Sequence, residues 1–399
     1  MSWTQICFGN CFTVKHGFAF KGELFVKSGE HIVVTPGNFN ERGGFRARPG
    51  KDRYYGIEPP EDYILDAGDL IVAMTEQGEG LLGSSALVPS DASYLHNQRI
   101  GLVENLDTTK LDRRFLYYLF NTHTVRSQIR ASATGGKVRH TAPKRIQAVK
   151  VVVPDVAQQA RIAEMVSPYD DLIDNNRRRI ELLEESARLL YREWFVQFRF
   201  PGHEHVNVVD GVPEGWKRKA LSELADFING YPFEPSELGE IGLPIVKIPE
   251  LRQGASDKTP RNSGERVPEK YHIGDGDLIF SWSGTLAVNV WAGGPALLNQ
   301  HLFHVVPTDR VGRGFLLCAL RHALIAFATH AVGATMKHIR RSALDNVYVS
   351  LPDEALTSNV DEVLSDIYRQ LMILSQQNQK LSQARDLLLP RLMSGEIAV

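Results

Sequence analysis

Basic side chains set among glycines and aromatics are the first residues in this 399-residue chain whose types suggest chemistry. The stretch "NERGGFRARPGKDRYYG" at 40–56 places Arg42, Arg46, Arg48, Lys51 and Arg53 beside Phe45, Tyr54 and Tyr55. Such a loop can approach phosphates and present arginine to guanine edges, so the chemistry in view is nucleic-acid recognition. Taken alone, the same residues also read as a solvated surface loop. The corresponding stretch 250–266, "ELRQGASDKTPRNSGER", offers Arg252, Lys258, Arg261, Asn262 and Arg266. A further basic cluster occurs twice. Lys137, Arg139, His140, Lys144 and Arg145 follow Gly135, and Lys337, His338, Arg340 and Arg341 follow Gly333. Repeated basic groups suit positioning on phosphates, whereas unlike loops suit base reading. His140 and His338 read equally well as structural histidines.

Motifs for catalysis are missing from the sequence. There is no GxxxxGKS/T loop, "HEH" at 203–205 lacks the second histidine of a zinc protease helix, and no lysine has an acidic residue two positions before it. "EPPE" at 58–61 carries glutamates where an amino methyltransferase needs other flanks, so it reads as a turn. Cys7, Cys11 and His16 would make three metal ligands, but no fourth is evident, and ordinary reduced thiols are the simpler reading. No catalytic residue, metal site or cofactor bound by this chain is expected.

Charge agrees with local recognition. The total of 45 basic and 47 acidic residues gives −2, which argues against nonspecific coating of nucleic acid. Residues 1–154 hold 19 Lys+Arg and 15 Asp+Glu, whereas 155–200 hold 7 and 9. Residues 201–352 hold 15 and 16, and 353–399 hold 4 and 7. Three cysteines, Cys7, Cys11 and Cys318, cannot build a disulfide framework, and "MSWTQICFGN" lacks a signal-peptide pattern. A reducing, cytoplasmic setting is expected. The most apolar stretch, 315–332, is interrupted by Arg321, His322 and His330 and reads as a half-buried helix, with no membrane role.

The elements that must carry these residues are revealed by an internal repeat. "GFAF" at 17–20 answers "GYPF" at 230–233, "YILDAGDLIVAM" at 63–74 answers "YHIGDGDLIFSW" at 271–282, and "LHNQRIGLV" at 95–103 answers "LLNQHLFHV" at 297–305. The last match, 135–155 with 333–353, has an offset of 198 that continues through the following helix-patterned stretches. The chain is therefore expected to be globular over 1–154, helical over 155–200, globular over 201–352 and helical over 353–399. Short β-rich runs, "DLIVAM", "KVVVP", "DLIFSW" and "NVYVSLP", accompany one helix-patterned stretch per globular region, at 112–132 and 313–332, which gives an α+β (mixed α/β) fold.

In the helical regions, Asp155 opens a short helix, and Ser167 is placed to cap a new one with Pro168 at its first position. Tyr169, Ile173, Asn176, Ile180, Leu183, Ala187, Leu190 and Trp194 then recur at spacings of four and three, the pattern of a coiled-coil seam. The repeat supplies Ile367, Leu371, Leu374, Asn378, Leu381, Arg385, Leu388 and Leu392. Asn176 and Asn378 are polar seam positions able to fix register, and Pro390 is expected to kink or end the last helix. The two helices are expected to pack as an antiparallel coiled coil relating the globular regions by a pseudo-two-fold. At ~1.5 Å per residue, about 30 residues span ~45 Å, comparable with the ~34 Å repeat of B-DNA. The frame would thus act as a ruler, although a leucine-rich pair can also be simple core.

The double layout of variable region and helix, with "PDVAQQARIAEMVSPYDDLIDNNRRRIELLEESARLLYREWFVQF" and "LSQARDLLLPRLMSGEI", resembles the specificity (S) subunits of type I restriction-modification systems over essentially the whole chain. The resemblance implies two target recognition domains, each reading one half of a bipartite double-stranded DNA site, with the helices setting the spacer. It further implies a non-catalytic subunit that docks two modification (methyltransferase) subunits and, with them, restriction subunits for translocation and cleavage. S-adenosylmethionine, ATP and Mg would reside in those partners. Since the sequence stops at Val399 after the second helix, no extra domain is expected. The alternative is a stand-alone sequence-specific DNA-binding or scaffolding protein.

Overall fold

A computed structural model describes residues 3–48, 50–78, 80–330, 339, 341–352 and 354–399. The chain divides into two compact units, Met1–Tyr169 with Ala384–Val399, and Asp170–Gln383.

In the first unit, the run "LIVA" forms the strand Leu70–Ala73, all four residues buried. Its neighbours give the antiparallel order Thr13–His16, Ile100–Glu104, Leu70–Ala73, Ser85–Leu87. Alternation explains the uninterrupted apolar run. Leu70, Val72 and Met74 face one core with the helices, while Ile71 and Ala73 face another with Val34, Leu65 and Tyr94. A strand covered on both faces has no polar side to show. Each large apolar side chain buried there contributes about 1.5–3 kcal/mol. The second sheet contains one parallel pair, His31–Val33 with Ser93–Leu95, to which Ile64–Leu65 adds antiparallel. Thr4–Cys7 pairs with Lys150–Val153.

The second unit repeats this arrangement. Its main sheet runs Ala225–Asn229, Leu302–Pro307, Leu278–Ser281, Ala287–Val290. Its smaller sheet again holds a parallel pair, Leu243–Val246 with Ala296–Leu298, flanked by His272–Ile273. Lys217–Ala220 pairs with Tyr348–Leu351. Leu278 and Phe280 face the helices, and Ile279 faces the opposite core.

Helices differ from expectation at three places. The stretch 112–132 is two helices, Arg113–Phe120 and His123–Ala131, because the Thr122 side chain accepts the Val125 N–H and starts a second helix. The corresponding stretch of the second unit is one helix, Arg313–His330. No new helix begins at Ser167. Val156–Tyr191 is continuous, with Pro168 inside it and Asp155 accepting the Gln158 N–H at 2.9 Å as the cap of the whole helix. An interior proline costs about 3 kcal/mol or more in an isolated helix. Burial of Ile162, Ala163 and Val166 before it and Ile173 after it holds the helix through the defect. Nor does Pro390 end the second long helix, Glu354–Met393. Leu392, fully buried in the first unit's core, fixes the turn beyond it.

Every expected seam position is buried or half-buried. In the first unit, Ile162, Ala163 and Val166 share a core with Leu388, Leu389 and Leu392. In the second, Ile180, Leu183, Ala187 and Leu190 share one with Val360, Leu364, Ile367 and Leu371. The first long helix ends in a π-helical turn, Arg192–Val196, that contributes Phe195 to that core.

Candidate nucleic-acid interface

The basic loop of the first unit is a built structure. Gly44 N–H donates to Ser85 O at 2.9 Å, Ser84 Oγ donates to Asn40 O at 2.6 Å, and the Arg46 N–H donates to Asn38 O at 2.8 Å. Its cations have different duties. Arg42 Nη1 is 2.6 Å from Asp386 Oδ2 on the second long helix. The Arg48 guanidinium covers Gly37, and Arg53 lies 5.7 Å from the Phe25 ring centroid. Arg46 and Lys51 are exposed without an ion-pair partner among the described residues, so they have charge to offer a ligand.

The basic cluster that follows begins in a short hairpin closed by Thr134 and His140, each donating its N–H to the other's carbonyl. Val138–His140 pairs with Thr75–Gln77, and His140 Nδ1 lies 3.1 Å from Thr75 Oγ1. Lys137, Arg139 and His140 are exposed there, with Lys144 on the short helix Pro143–Gln147. Arg145 donates to Thr134 Oγ1 at 3.1 Å. In the second unit Lys337, His338 and Arg340 lie outside the described residues. Arg341 is exposed and opens the turn Arg341–Ala343. The attachment is nonetheless the same: Ile339 N–H donates to Trp282 O at 3.0 Å, as Thr141 N–H donates to Met74 O at 2.9 Å.

In the stretch 250–266, Arg252 is exposed in the last turn of the helix Ile248–Gln253, and Lys258 is exposed beyond it. Arg261 donates to Gly242 O at 2.9 Å. Cys7 and Cys11 donate to the Gln147 and Cys7 carbonyls. Among the described residues no His, Cys, Asp or Glu group is arranged to hold a metal, and no helix is long and apolar enough to cross a membrane.

Beneath the first unit's basic segments lies a buried charge cluster that sequence reasoning missed. Glu76, 1% exposed, accepts the N–H groups of Gly80, Leu81 and Leu82 on one oxygen at 2.9–3.1 Å. Arg130 Nη2 is 3.8 Å from that oxygen. Arg126 donates to Leu82 O, Glu41 O and Gly80 O at 2.8, 3.0 and 2.6 Å. Burial, with the Arg130 charge beside it, pulls the Arg126 guanidinium down to about 10. These contacts join the 40–48 loop to the 80–82 turn, and Glu76 stands opposite Arg139 in the register of the strands Thr75–Gln77 and Val138–His140. The available signal was one glutamate at the end of an apolar strand, followed by Gly78, Gly80 and Gly83, all with left-handed φ.

Comparison with known proteins fits this architecture. A family model described as the type I restriction modification DNA specificity domain matches residues 2–185 and again 213–383. The chain belongs to this family. It is similar to the type I restriction enzyme MjaIX specificity subunit of Methanocaldococcus jannaschii, with 25% identity covering 71% of this chain and 69% of that one. The HindI specificity subunit of Haemophilus influenzae is 23% identical over 84% of this chain and 87% of its own. A crystal structure of a type I restriction-modification S subunit from M. genitalium shares the fold, with TM-score 0.60, 16% identity and coverage of 98% and 96%. As a specificity subunit, the chain supplies DNA recognition to a restriction-modification complex and is not itself the enzyme.

Proposed function

We propose that each unit reads one half of a bipartite double-stranded DNA site and that the paired long helices set the gap between the halves. The observation that carries this reading is the double construction. The same sheet order, parallel strand pair and anchoring hydrogen bond occur in both units, each sharing its core with stretches of the two long helices. The seam positions support an antiparallel coiled coil with a pseudo-two-fold, and that duplication suits one methyltransferase subunit per repeat. Those two partners would bring S-adenosylmethionine, and restriction subunits joined through them would bring ATP and Mg. In the first unit Arg46, Lys51, Lys137, Arg139 and Lys144 have the exposure needed to meet DNA.

The test is co-expression with the modification subunit of the same system, followed by sequencing of methylated DNA. A single split motif with a fixed gap is expected. Inserting seven residues into each long helix lengthens both by ~10 Å, and the gap should widen by about three base pairs at ~3.4 Å each. An intact complex that methylates without sequence preference would reduce the chain to a scaffold.

A further inference from the structure

The repeated motifs "GFAF" with "HNQR" and "GYPF" with "LNQH" have no role in the proposed function so far, yet the structure joins each pair into one braced turn. In the first unit Phe18 N–H donates to His96 O, Gln98 N–H to Phe18 O and Ile100 N–H to Asn97 O, all at 2.9 Å. Asn97 Oδ1 accepts the Arg99 N–H at 3.1 Å. In the second unit Tyr231 N–H donates to Leu298 O, Gln300 N–H to Tyr231 O and Leu302 N–H to Asn299 O, at 2.7, 3.1 and 3.0 Å. Asn299 Oδ1 accepts the His301 N–H at 3.4 Å. Gly17 and Gly230 sit so close to the carbonyls of Asn97 and Asn299 that a Cβ at either would collide with backbone. Phe18 and Tyr63, and Tyr231 and Tyr271, back the turns with ring centroids 5.2 and 5.5 Å apart.

So much bracing holds a backbone whose outward side chains make little use of it. Gln98 and Arg99 are exposed and have no side-chain partner among the described residues. In the second unit Gln300 Oε1 and His301 Nδ1 are closed off from solvent, again with no hydrogen-bond partner among the described residues. Exposed polar side chains in the first turn, and closed-off polar atoms without partners in the second, leave both turns with hydrogen-bonding groups to offer a ligand. The first turn also adjoins its basic segment. Met74 N–H donates to Arg99 O while Met74 O accepts from Thr141, so one residue links the turn to the end of the Thr134–His140 hairpin. Two such steps are about 10 Å at ~4.8 Å per strand, within the ~12 Å width of a major groove.

We propose that the turns Asn97–Gln98–Arg99 and Asn299–Gln300–His301 are base-reading elements, one per half-site, with Gln98 and Arg99 contacting base edges in the major groove. Glutamine pairs with adenine through two bonds and arginine with guanine, and both need a fixed backbone to hold that geometry. Asn97 and Asn299 are positioning residues. This inference rests on the bipartite reading above.

The experiment uses the full chain assembled with its modification subunits. Sites methylated by wild type, Gln98→Ala, Arg99→Ala and Gln300→Ala are sequenced, and binding is measured on the wild-type site and on its single-base variants. The first two substitutions should each relax one base pair of the first half-site, with discrimination there falling on the order of 10- to 100-fold and the second half unchanged. Gln300→Ala should do the reverse. Gln98→Glu keeps the size but loses the donor, and provides the same readout should the alanine variant fold poorly. Unchanged specificity in all variants, or weakening that is equal on every sequence and merely lowers the salt slope, overturns the inference. If the wild-type complex methylates no split motif, the bipartite reading itself has failed.

Discussion

The two units share a skeleton but place their buried charges differently. Aligned through the Gly-Asp-Leu-Ile run, Glu76 of the first unit corresponds to Gly284 of the second. The first unit thus has a carboxylate that gathers three loop N–H groups, supported by Arg126 and Arg130 from its split helix. Arg321 of the second unit's unbroken helix instead donates to Val288 O at 3.2 Å and pairs with Glu184 of the first long helix at 2.7 Å. Even the shared aspartate diverges. Asp69 and Asp277 both accept a turn N–H, from Asp66 and Gly274. Burial raises the Asp69 carboxyl, whereas at Asp277 burial is outweighed by His304, Gly274 and Arg313, which hold it below the usual range. Apolar alternation fixes the common frame, and the polar interior individualises the loops built on it.

Removing the cluster should give the largest contrast between units. Glu76→Ala leaves three loop N–H donors and the Arg130 guanidinium without their carboxylate, which should cost about 3–5 kcal/mol in the first unit. Denaturant unfolding with hydrogen exchange at Gly80, Leu81 and Leu82 reads it, and a loss under about 1 kcal/mol would show that the cluster is dispensable. Acid should separate the units next. Burial lowers His96 to about 4, from about 6.5 in an unfolded chain. The unfolded state therefore binds the proton more tightly between those values. The stability linked to His96 is complete above pH ~6.5 and drains as pH falls toward ~4, by about 3 kcal/mol in all. Leu298 stands at this place in the second unit, so His96→Leu should flatten the first unit's pH profile, and an unchanged profile assigns the acid sensitivity elsewhere.

Gly17→Ala and Gly230→Ala probe what the units share. Each should cost about 1–3 kcal/mol through overpacking against a carbonyl, and a clearly unequal pair of melting shifts would mean the two turns are not equivalently braced. The smallest effect belongs to Asn176, buried in the second unit with Nδ2 3.4 Å from Gln377 Oε1. Because a polar seam residue sacrifices stability for register, Asn176→Leu should raise stability by about 0.5–1 kcal/mol. A loss on thermal melting would show that this contact contributes more than its length suggests.

Much of the architecture was legible because it follows from periodicity. The apolar strands, the buried faces of the long helices and the repeat all depend on side-chain spacing, which sequence displays directly. What escaped was decided by partners distant in the chain. Ser167 and Pro168 have the composition of a helix start, and packing on both sides overrides it. Arg42 has the setting of a DNA-facing cation, but Asp386, 344 residues away, meets it. The glycines of "GFAF" and "GYPF" look like turn punctuation, but their reason is a carbonyl about 70–80 positions further on.

By itself, the sequence determined that the chain is built twice, that each copy mixes short β-rich runs with a helix-patterned stretch, and that a long amphipathic helix follows each copy. Local steric preference and hydrophobic spacing suffice for that. Tertiary structure alone decided which cations stay exposed, which charges are buried together, and where a turn is braced tightly enough to present its side chains. Those outcomes depend on desolvation and on contacts between residues far apart in the chain, which no local pattern encodes.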